Sequence, residues 1–537
     1  MAVPSNPGVP AADAVSDPTT RPVGLRRSLS VWQAVGLSVA LMAPSMAANI
    51  NPQATASSVG RAVPLAFLLS AVGVLLVAYV FVRLCQHFQH AGSVYAFVGA
   101  TLGARAGVVA GWGLLGTYTF YGVVTSSAAG IFGTAFLQKI DVWPHPPTWG
   151  PFVLAFVALA LAWLLTVMPA KRGTSVLLTV EGLTVALILV VTVVVLVRLL
   201  SGTAPGDRHA TLSVFTVPPG TGGSAVFLGA VFGFLSFAGF EAAATLGEEA
   251  AHPRRDIPRA ILGTAIFGGV YFVVVTAVEV MGFGADQSGV ARFTSSPSLL
   301  GDLGSTYVGA WVGDVITVGA AVSAFGCCLA CVVGGSRLLY ALARDTAGRR
   351  GIGEVSGNGT PATSAAIIVV AMAAIIGVCV AFFSAKPTDT FAWSGTIGTL
   401  MVLVVYVLTT LGAIWLLFVR RLMRVPGWQV IIPLAALAVL GYTLYRNVIP
   451  YPASGPARWF PVVGGIWLLV AVLAVLALPG MARRLGARLT ADGLAPPEGR
   501  PGDPPRLFTQ RDTDDADDAG QPAAGGGVAG GGVAASD

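Results

Sequence analysis

The sequence predicts an all-α integral membrane protein, on the basis of its composition, its long apolar runs and the placement of its basic residues. Of the 537 residues, 55% are hydrophobic and 10% are charged, and the mean hydropathy is +0.78. Soluble domains contain about 25% charged residues, so the composition excludes a soluble protein. The formal net charge is +6, but with so few charges the placement of the basic residues matters more than the sum, and we expect no binding to nucleic acid.

Long apolar runs predict the membrane helices, because about 30 Å of hydrocarbon needs roughly 20 helical residues. We expect one transmembrane helix in each of twelve runs: residues 31–56, 63–86, 104–137, 149–168, 174–199, 224–247, 259–283, 306–343, 362–384, 391–419, 428–448 and 459–479.

The basic residues indicate the orientation, because cytoplasmic loops collect Lys and Arg. If the N-terminus is cytoplasmic, the predicted inner segments hold 20 of the 31 Lys and Arg residues and the outer segments hold 8. We therefore expect a multi-pass protein of the cytoplasmic membrane with both termini in the cytoplasm. An odd number of helices would abolish this asymmetry.

Composition also predicts three segments. Residues 30–480 contain all twelve runs, whereas residues 1–29 and 481–537 are rich in Pro, Gly, Ala and polar residues. Such segments cannot bury a hydrophobic core. We expect them to be disordered cytoplasmic tails.

The sixth run contains polar residues where a membrane helix is normally apolar. Ser236, Gly239 and Glu241 lie within the stretch Gly233–Ile261, and a carboxylate near mid-bilayer costs roughly 2.5–3.5 kcal/mol on insertion scales. We expect the helix to break here. Backbone groups freed at that depth need a protein-lined cavity or a ligand, so the break predicts a binding site.

The first run contains a second candidate break. Pro44 removes a helix hydrogen bond and clashes with the preceding turn, and Ser45, Asn49 and Asn51 place polar groups nearby. Interrupted helices at corresponding positions of two halves, here spans 1 and 6, indicate the substrate site of an inverted-repeat transporter. For Pro44 alone, an ordinary helix kink is the alternative.

Several motifs make the chain resemble the amino acid permeases of the amino acid–polyamine–organocation (APC) superfamily, over about residues 30–480. The most specific are FAGFE at Phe237–Glu241 and EEAAHPRRDIPRAI at Glu248–Ile261, which resemble the family's sixth span and the loop after it. The other motifs, in matching order, are AVPLA at 62–66, HAGSVY at 90–95, SRLLYALARD at 336–345 and GTP at 359–361.

The resemblance implies a LeuT-like fold, which is a five-plus-five inverted repeat with discontinuous helices 1 and 6 and two further C-terminal helices. The repeats would occupy about residues 31–200 and 224–420, and helices 11 and 12 about 428–480. The resemblance also implies import of an amino acid by alternating access, coupled to protons. We expect no enzymatic activity, because the sequence has no carboxylates paired with His, no nucleophile elbow and no phosphate-binding loop. The alternatives are an amine or polyamine permease or exchanger, and a membrane nutrient sensor that moves no substrate.

A zwitterionic substrate would meet backbone groups at the two breaks. Half-helix N-termini direct N–H groups at an anion, and we assign the substrate carboxylate to Ala43, Pro44, Ser45, Met46 and Ala47. Free carbonyl groups would accept the ammonium group. We assign these to Phe237, Ala238 and Gly239, with Phe237 and Phe240 closing over the substrate side chain.

Three carboxylates lie inside predicted spans, and we assign proton coupling to Glu181 and Glu241. A buried carboxyl group can bind and release a proton as its cavity alternates between wet and dry. A similar proton-coupled relative has a lysine at the position of Glu181, so this residue departs from that pattern. Capping of free N–H groups is the alternative for Glu241, and a static hydrogen bond is the alternative for Glu181. Glu279 is expected near the outer interface.

Charged residues after span 6 predict an inner gate, which we assign to Glu248 and Arg337. Neighbouring charges that would take part are Glu249, Arg254, Arg255 and Arg259. In water such pairs contribute at most about 1 kcal/mol each. Anchoring of the cytoplasmic loops is the alternative explanation for these arginines.

We expect no cofactor and no metal ion. The five cysteines lie in apolar runs as small packing residues, and the five histidines are scattered over loops and span ends. Sodium is the alternative coupling ion, with Ser323 as a candidate ligand. The expected partners are a small-molecule substrate, a coupling proton and the lipid bilayer.

Overall fold

The helices are seen in a computed structural model that describes residues 31–88, 94–168, 173–206, 208–246, 252–346, 352, 360–423, 425–452 and 454–491. All regular secondary structure in these residues is helical, which confirms the all-α prediction. Ten helical stretches among them are long and apolar enough to cross a membrane.

The α-helices of the described residues number seventeen. They are α1 (Val31–Met42), α2 (Pro44–Val59), α3 (Val63–His87), α4 (Val94–Leu102), α5 (Ala104–Lys139), α6 (Gly150–Val167), α7 (Gly173–Leu200), α8 (Ala225–Ser236), α9 (Pro253–Phe283), α10 (Gln287–Ser295), α11 (Leu299–Tyr307), α12 (Ala310–Thr346), α13 (Ala362–Phe383), α14 (Pro387–Ile414), α15 (Ile431–Val448), α16 (Trp459–Ala477) and α17 (Pro479–Ala491).

Each of the twelve predicted spans falls on one or two of these helices. The membrane-length stretch Ala34–His87 contains α1, α2 and α3, which correspond to the first two predicted spans. Helix α8 has 12 residues, too few to cross alone, and forms the first half of the predicted sixth span. The number of crossings therefore stays a prediction.

Helix α17 lies partly in the segment 481–537, so the expectation of disorder is wrong for residues 481–491. Ala482, Leu485 and Leu489 recur at a spacing of three and four residues, and all three are buried. This stripe packs α17 against α5 and α12. The overall composition of the tail does not reveal such a stripe, because an amphipathic helix depends on spacing and not on average polarity.

Helix α5 is the centre of one group of helices. It has 36 residues, about 54 Å at 1.5 Å per residue, and it packs against α6, α12 and α14. In a second group, α3 packs against α8 and α9. Helix α2 contacts both α8 and α12, and most of its residues are buried. The helix that follows the first break is thus enclosed by protein.

Asn49 ties α2 to the short helix α11. Its Oδ1 accepts hydrogen bonds from the Ser298 hydroxyl (2.8 Å), the Leu300 N–H (2.9 Å) and the Gly301 N–H (3.4 Å). Its Nδ2 donates to the Ser45 carbonyl oxygen (2.8 Å). The first N–H groups of a helix have no intrahelical partner, so Asn49 supplies the acceptor that the start of α11 needs.

We expect Asn49→Ala to lower the free energy of unfolding by about 1–3 kcal/mol, because the N–H groups of Leu300 and Gly301 lose a buried acceptor. Thermal unfolding of the purified protein in detergent measures this. Ser57→Ala on the same helix is the control, since the exposed Ser57 hydroxyl donates only over one turn, to the Ala54 carbonyl oxygen. Equal melting temperatures for the two variants would contradict the capping role.

Candidate functional site

The first break is one residue wide. Helix α1 ends at Met42, and Ala43 adopts a left-handed conformation, φ 46° and ψ 56°, before Pro44 begins α2. Pro44 causes the break, because it lacks an N–H and its ring clashes with the preceding turn. A left-handed alanine is strained by roughly 1–3 kcal/mol. The break is narrower than the sequence predicts, since Pro44–Ala47 are already helical.

The second break is longer and lies against the first. Helix α8 ends at Ser236, a 3-10 helix begins at Ala242, and the residues between them form turns. Gly239 has a φ of +102°, and a Cβ there would lie 2.9 Å from Leu41 Cβ. Glycine is required both by this backbone conformation and by the close approach of the end of α1.

The N–H groups at the start of α2 are bonded to the protein itself. The hydrogen bonds are Ser45 N–H to Glu181 Oε1 (2.9 Å), Met46 N–H to Ser323 Oγ (3.3 Å) and Ala47 N–H to the Ala43 carbonyl oxygen (2.8 Å). The partial positive charge of a helix N-terminus stabilises a nearby carboxylate. Glu181 thus occupies the position at which we expected the carboxylate of a substrate.

Four side chains from four helices meet at this point, and we call them the Glu181 cluster: Ser45, Glu181, Tyr271 and Ser323. Glu181, on α7, is 6% exposed, and its Oε2 has no hydrogen-bond partner among the described residues. The hydroxyl groups of Ser45 and Ser323 lie beside this carboxylate. The Tyr271 hydroxyl donates to the Pro44 carbonyl oxygen (3.3 Å). The cluster therefore accepts hydrogen bonds from N–H groups at the first break and donates one to a carbonyl group there.

The backbone of the second break is bonded mainly within itself. Phe240 N–H donates to the Phe237 carbonyl oxygen (3.1 Å), and Ala242 N–H donates to that of Gly239 (2.9 Å). Two of the three carbonyl groups that we assigned to an ammonium ion, those of Phe237 and Gly239, therefore accept one hydrogen bond each, and each keeps a second lone pair. Ala238 and Gly239 are half-buried.

Phe237 and Phe240 lie in the protein interior, at 1% and 0% exposure. The Phe237 ring packs edge-on against Phe272, with the centroids 5.4 Å apart. Phe240 packs in the same way against Phe81 (5.8 Å) and Tyr406 (5.9 Å). Both aromatic residues thus flank the break, and their closing over a substrate stays a prediction.

Glu241 is bonded to α14. The Tyr406 hydroxyl donates to its Oε1 (3.0 Å), and its Oε2 has no hydrogen-bond partner among the described residues. Tyr406 packs edge-on against Phe81 and Phe240, with both centroid distances 5.9 Å. The carboxylate therefore lies beside an aromatic cluster of Phe81, Phe240 and Tyr406, and the N–H groups of Gly239 and Glu241 are close to it.

Glu279 is not interfacial, so the position expected from the sequence is wrong. It is 0% exposed, and neither carboxylate oxygen has a hydrogen-bond partner among the described residues. Nearness to the end of a span does not decide exposure here, because α9 continues to Phe283 and its C-terminal end is covered by α10 and α11.

The gate residues are seen only in part. Glu248 lies outside the described residues, as does Glu249. Arg337 is an exposed residue of α12.

In the part of the chain that the structure describes, no group of three or more His, Cys, Asp or Glu residues is placed to hold a metal ion, and all five cysteines are free thiols.

Two site residues, Tyr271 and Tyr406, were not among the predicted ones. A hydroxyl inside a membrane helix needs a hydrogen-bond partner, so each tyrosine in an apolar run signals a polar neighbour. That signal does not name the neighbour.

A pocket of about 770 Å³ lies elsewhere, between the end of α14 and the start of α15, and is lined by Leu417, Phe418, Arg421, Met423, Val425, Pro426, Gly427 and Val430.

Comparison with known proteins places this arrangement in a family. The family described as amino acid permease matches residues 39–449. The chain belongs to the amino acid permease family. The low-affinity putrescine importer PlaP of Escherichia coli (strain K12) is 28% identical over 337 residues, which are 61% of this chain and 69% of PlaP.

Two other relatives are named for amino acids. The branched-chain amino acid permease BcaP of Lactococcus lactis subsp. cremoris (strain MG1363) is 26% identical over 370 residues, which are 67% of this chain and 75% of BcaP. The L-methionine/branched-chain amino acid exporter YjeH of Escherichia coli (strain K12) is 29% identical over 295 residues, which are 55% of this chain and 65% of YjeH. The family membership makes the chain a permease of amino acid or amine type.

We expect Gly239→Ala to disturb the contact between the two breaks, because its Cβ would meet Leu41 and because alanine disfavours the required φ. The variant should unfold at a lower temperature than the wild-type permease and should bind substrate more weakly. Thermal unfolding and equilibrium binding measure these effects. Gly377→Ala in α13 is the matched control, since a Cβ there meets nothing within 4 Å. If both variants bind substrate equally well, the contact is not part of the site.

Proposed function

We propose that this permease is a secondary active transporter that imports an amino acid or related amine across the cytoplasmic membrane by alternating access, coupled to protons. The observation that supports this best is the contact between the two helix breaks, at which Glu181 binds the start of α2. The proposal includes the twelve-helix, five-plus-five inverted repeat, in which spans 1 and 6 occupy corresponding positions.

The half-helices on each side of the breaks are joined in pairs. On one side, the Ser38 hydroxyl of α1 accepts a hydrogen bond from Ala243 N–H (3.0 Å), after the second break. On the other side, Asn51 Nδ2 of α2 donates to Ser236 Oγ of α8 (2.7 Å). In the proposed cycle each pair moves as a unit, and Ala43 and Gly239 are the hinges. Short segments with unusual backbone angles are suited to absorb such changes.

Glu181 is the proposed coupling residue. As a carboxylate it attracts the N–H groups of α2; as a neutral acid it loses this charge-assisted hydrogen bond, which is the stronger kind. Proton binding would therefore release α2 from α7 and change the balance between the two conformations. Glu241 is the second proposed proton site, and Glu248 and Arg337 are the proposed inner gate.

We expect Glu181→Gln to uncouple uptake from the pH gradient, because a glutamine side chain can accept the Ser45 N–H but cannot exchange a proton. Proteoliposomes with an inward proton gradient should accumulate labelled substrate with the wild type. With Glu181→Gln, uptake should be equal with and without the gradient.

Asp286→Asn is the control for this experiment. Asp286 caps α10, outside the membrane-length helices, and accepts hydrogen bonds from Ser288 and Gly289 N–H. This variant should keep the gradient dependence of the wild type. If Glu181→Gln also keeps it, Glu181 has no part in coupling. Binding of substrate by the wild type without any uptake would contradict transport itself.

A further inference from the structure

The region around the two breaks offers hydrogen-bond acceptors but few free donors. The first N–H groups of α2 are bonded to Glu181, Ser323 and Ala43. At the second break, the N–H groups of Phe240, Ala242 and Ala243 donate to Phe237, Gly239 and Ser38. The N–H groups of Gly239 and Glu241 lie against the Glu241 carboxylate. A substrate carboxylate needs such donors, because a charge buried without hydrogen bonds is strongly unfavourable.

The charges around the breaks have one sign. In the described part of the chain, the buried charged side chains are all carboxylates: Glu181, Asp256, Glu279 and Asp345. Of these, Glu181 lies at the first break, whereas Asp256 is at the start of α9 and Asp345 at the end of α12. Asp345 pairs with Arg344 at 2.8 Å. No ion pair with Lys or Arg forms at Glu181, Glu241 or Glu279 within the described ranges.

These carboxylates also keep unused acceptor atoms. Oε2 of Glu181, Oε2 of Glu241 and both oxygens of Glu279 have no hydrogen-bond partner among the described residues. A second anion brought close to them would be repelled, and the repulsion is strongest where water is excluded. An ammonium ion would be attracted and would supply the missing donors.

The surroundings of Glu241 suit an ammonium ion in a second way. Tyr406 bonds Glu241 at 3.0 Å and packs edge-on with Phe81 and Phe240. Aromatic faces attract cations, an effect that grows when the cation is desolvated. A half-buried carboxylate beside three aromatic rings therefore has the charge and the apolar surroundings that suit a cation.

We infer that the transported solute is a primary amine without a carboxylate group, bound as its ammonium ion by Glu241 and Tyr406. At the start of α2, the Glu181 carboxylate occupies the place that the carboxylate of an amino acid would take. The inference rests on the proposed transport function and narrows its substrate class from amino acids and amines to amines.

The test compares amino acids with their decarboxylation products, which share a side chain and an amino group. The pairs are ornithine and putrescine, lysine and cadaverine, and leucine and isoamylamine. Titration calorimetry on the purified full-length permease measures the dissociation constant of each compound at neutral pH, where all these amines are cations. In at least one pair, the amine should bind on the order of tenfold or more tightly than its amino acid.

Glu241→Gln and Tyr406→Phe test the assigned cation site. Each removes a charge or a hydroxyl with little change of shape, and each should weaken amine binding, Glu241→Gln by on the order of tenfold to a hundredfold. The melting temperature without ligand reports whether each variant is folded. A folded Glu241→Gln protein with an unchanged dissociation constant would remove Glu241 from the site.

Glu181→Ala tests the place assigned to Glu181, because it removes the carboxylate that accepts the hydrogen bond from Ser45 N–H. In this variant the affinity for the amino acid of a pair should rise relative to that for the amine. An unchanged ratio would contradict the idea that Glu181 excludes a substrate carboxylate.

The outcomes separate the inference from the proposed function. If an amino acid binds more tightly than its amine in every pair, or if no amine binds, the inference is overturned. The proposed transport is then tested separately, by the uptake assays. If amines bind but proteoliposomes accumulate neither member of a pair, the inference on binding holds and the proposed transport fails.

Discussion

The absence of water in the bilayer core is the constraint on which this structure depends. A backbone N–H or C=O exposed to hydrocarbon has no partner, and each one costs several kcal/mol. Two helices that are broken within apolar segments therefore need internal partners for the backbone groups at the breaks. The hydrogen bond from Ser45 N–H to Glu181 is the central one, because it satisfies a helix start with a charged acceptor from a distant helix.

The same constraint explains why the breaks lie together. Pro44 prevents α1 from continuing, and the conformation of Gly239 prevents α8 from continuing. Leu41 packs directly on Gly239, so each break covers the backbone of the other and shields it from lipid. Side-chain bonds then join α1 to the segment after the second break and α2 to α8. The unusual backbone angles are therefore confined to a few residues between hydrogen-bonded pairs of helical segments, an arrangement suited to hinge motion.

Charge adds a second constraint. A bundle that buries Glu181 and Glu279 without basic partners among the described residues must neutralise them with protons, with a cation, or with both in turn. The proposed proton coupling and the inferred selection of an ammonium ion would thus both follow from one electrostatic feature. The strained Ala43 and the unpaired carboxylate oxygens are features that a purely structural core would be expected to lack.

The sequence by itself determined the helices and the positions of both breaks, because these depend on local chemistry. Apolar runs of sufficient length form the membrane helices, proline interrupts a helix, and a glycine between a serine and a glutamate marks a second interruption. The motifs around Gly239 determined the family. The amphipathic helix α17 was missed because its few apolar residues lie in a polar segment.

Only the tertiary structure decided which groups meet. Ser45 and Glu181 are 136 residues apart, and Glu241 and Tyr406 are 165 apart. Contacts at this separation depend on how each helix is rotated about its axis and how deep each residue lies. Sequence periodicity specifies rotation for a helix with one apolar face, but a membrane helix that is apolar on all sides carries little such signal. For the same reason, the sequence does not reveal the burial of Glu279 or the capping role of Asn49. Both follow only from how the helices pack.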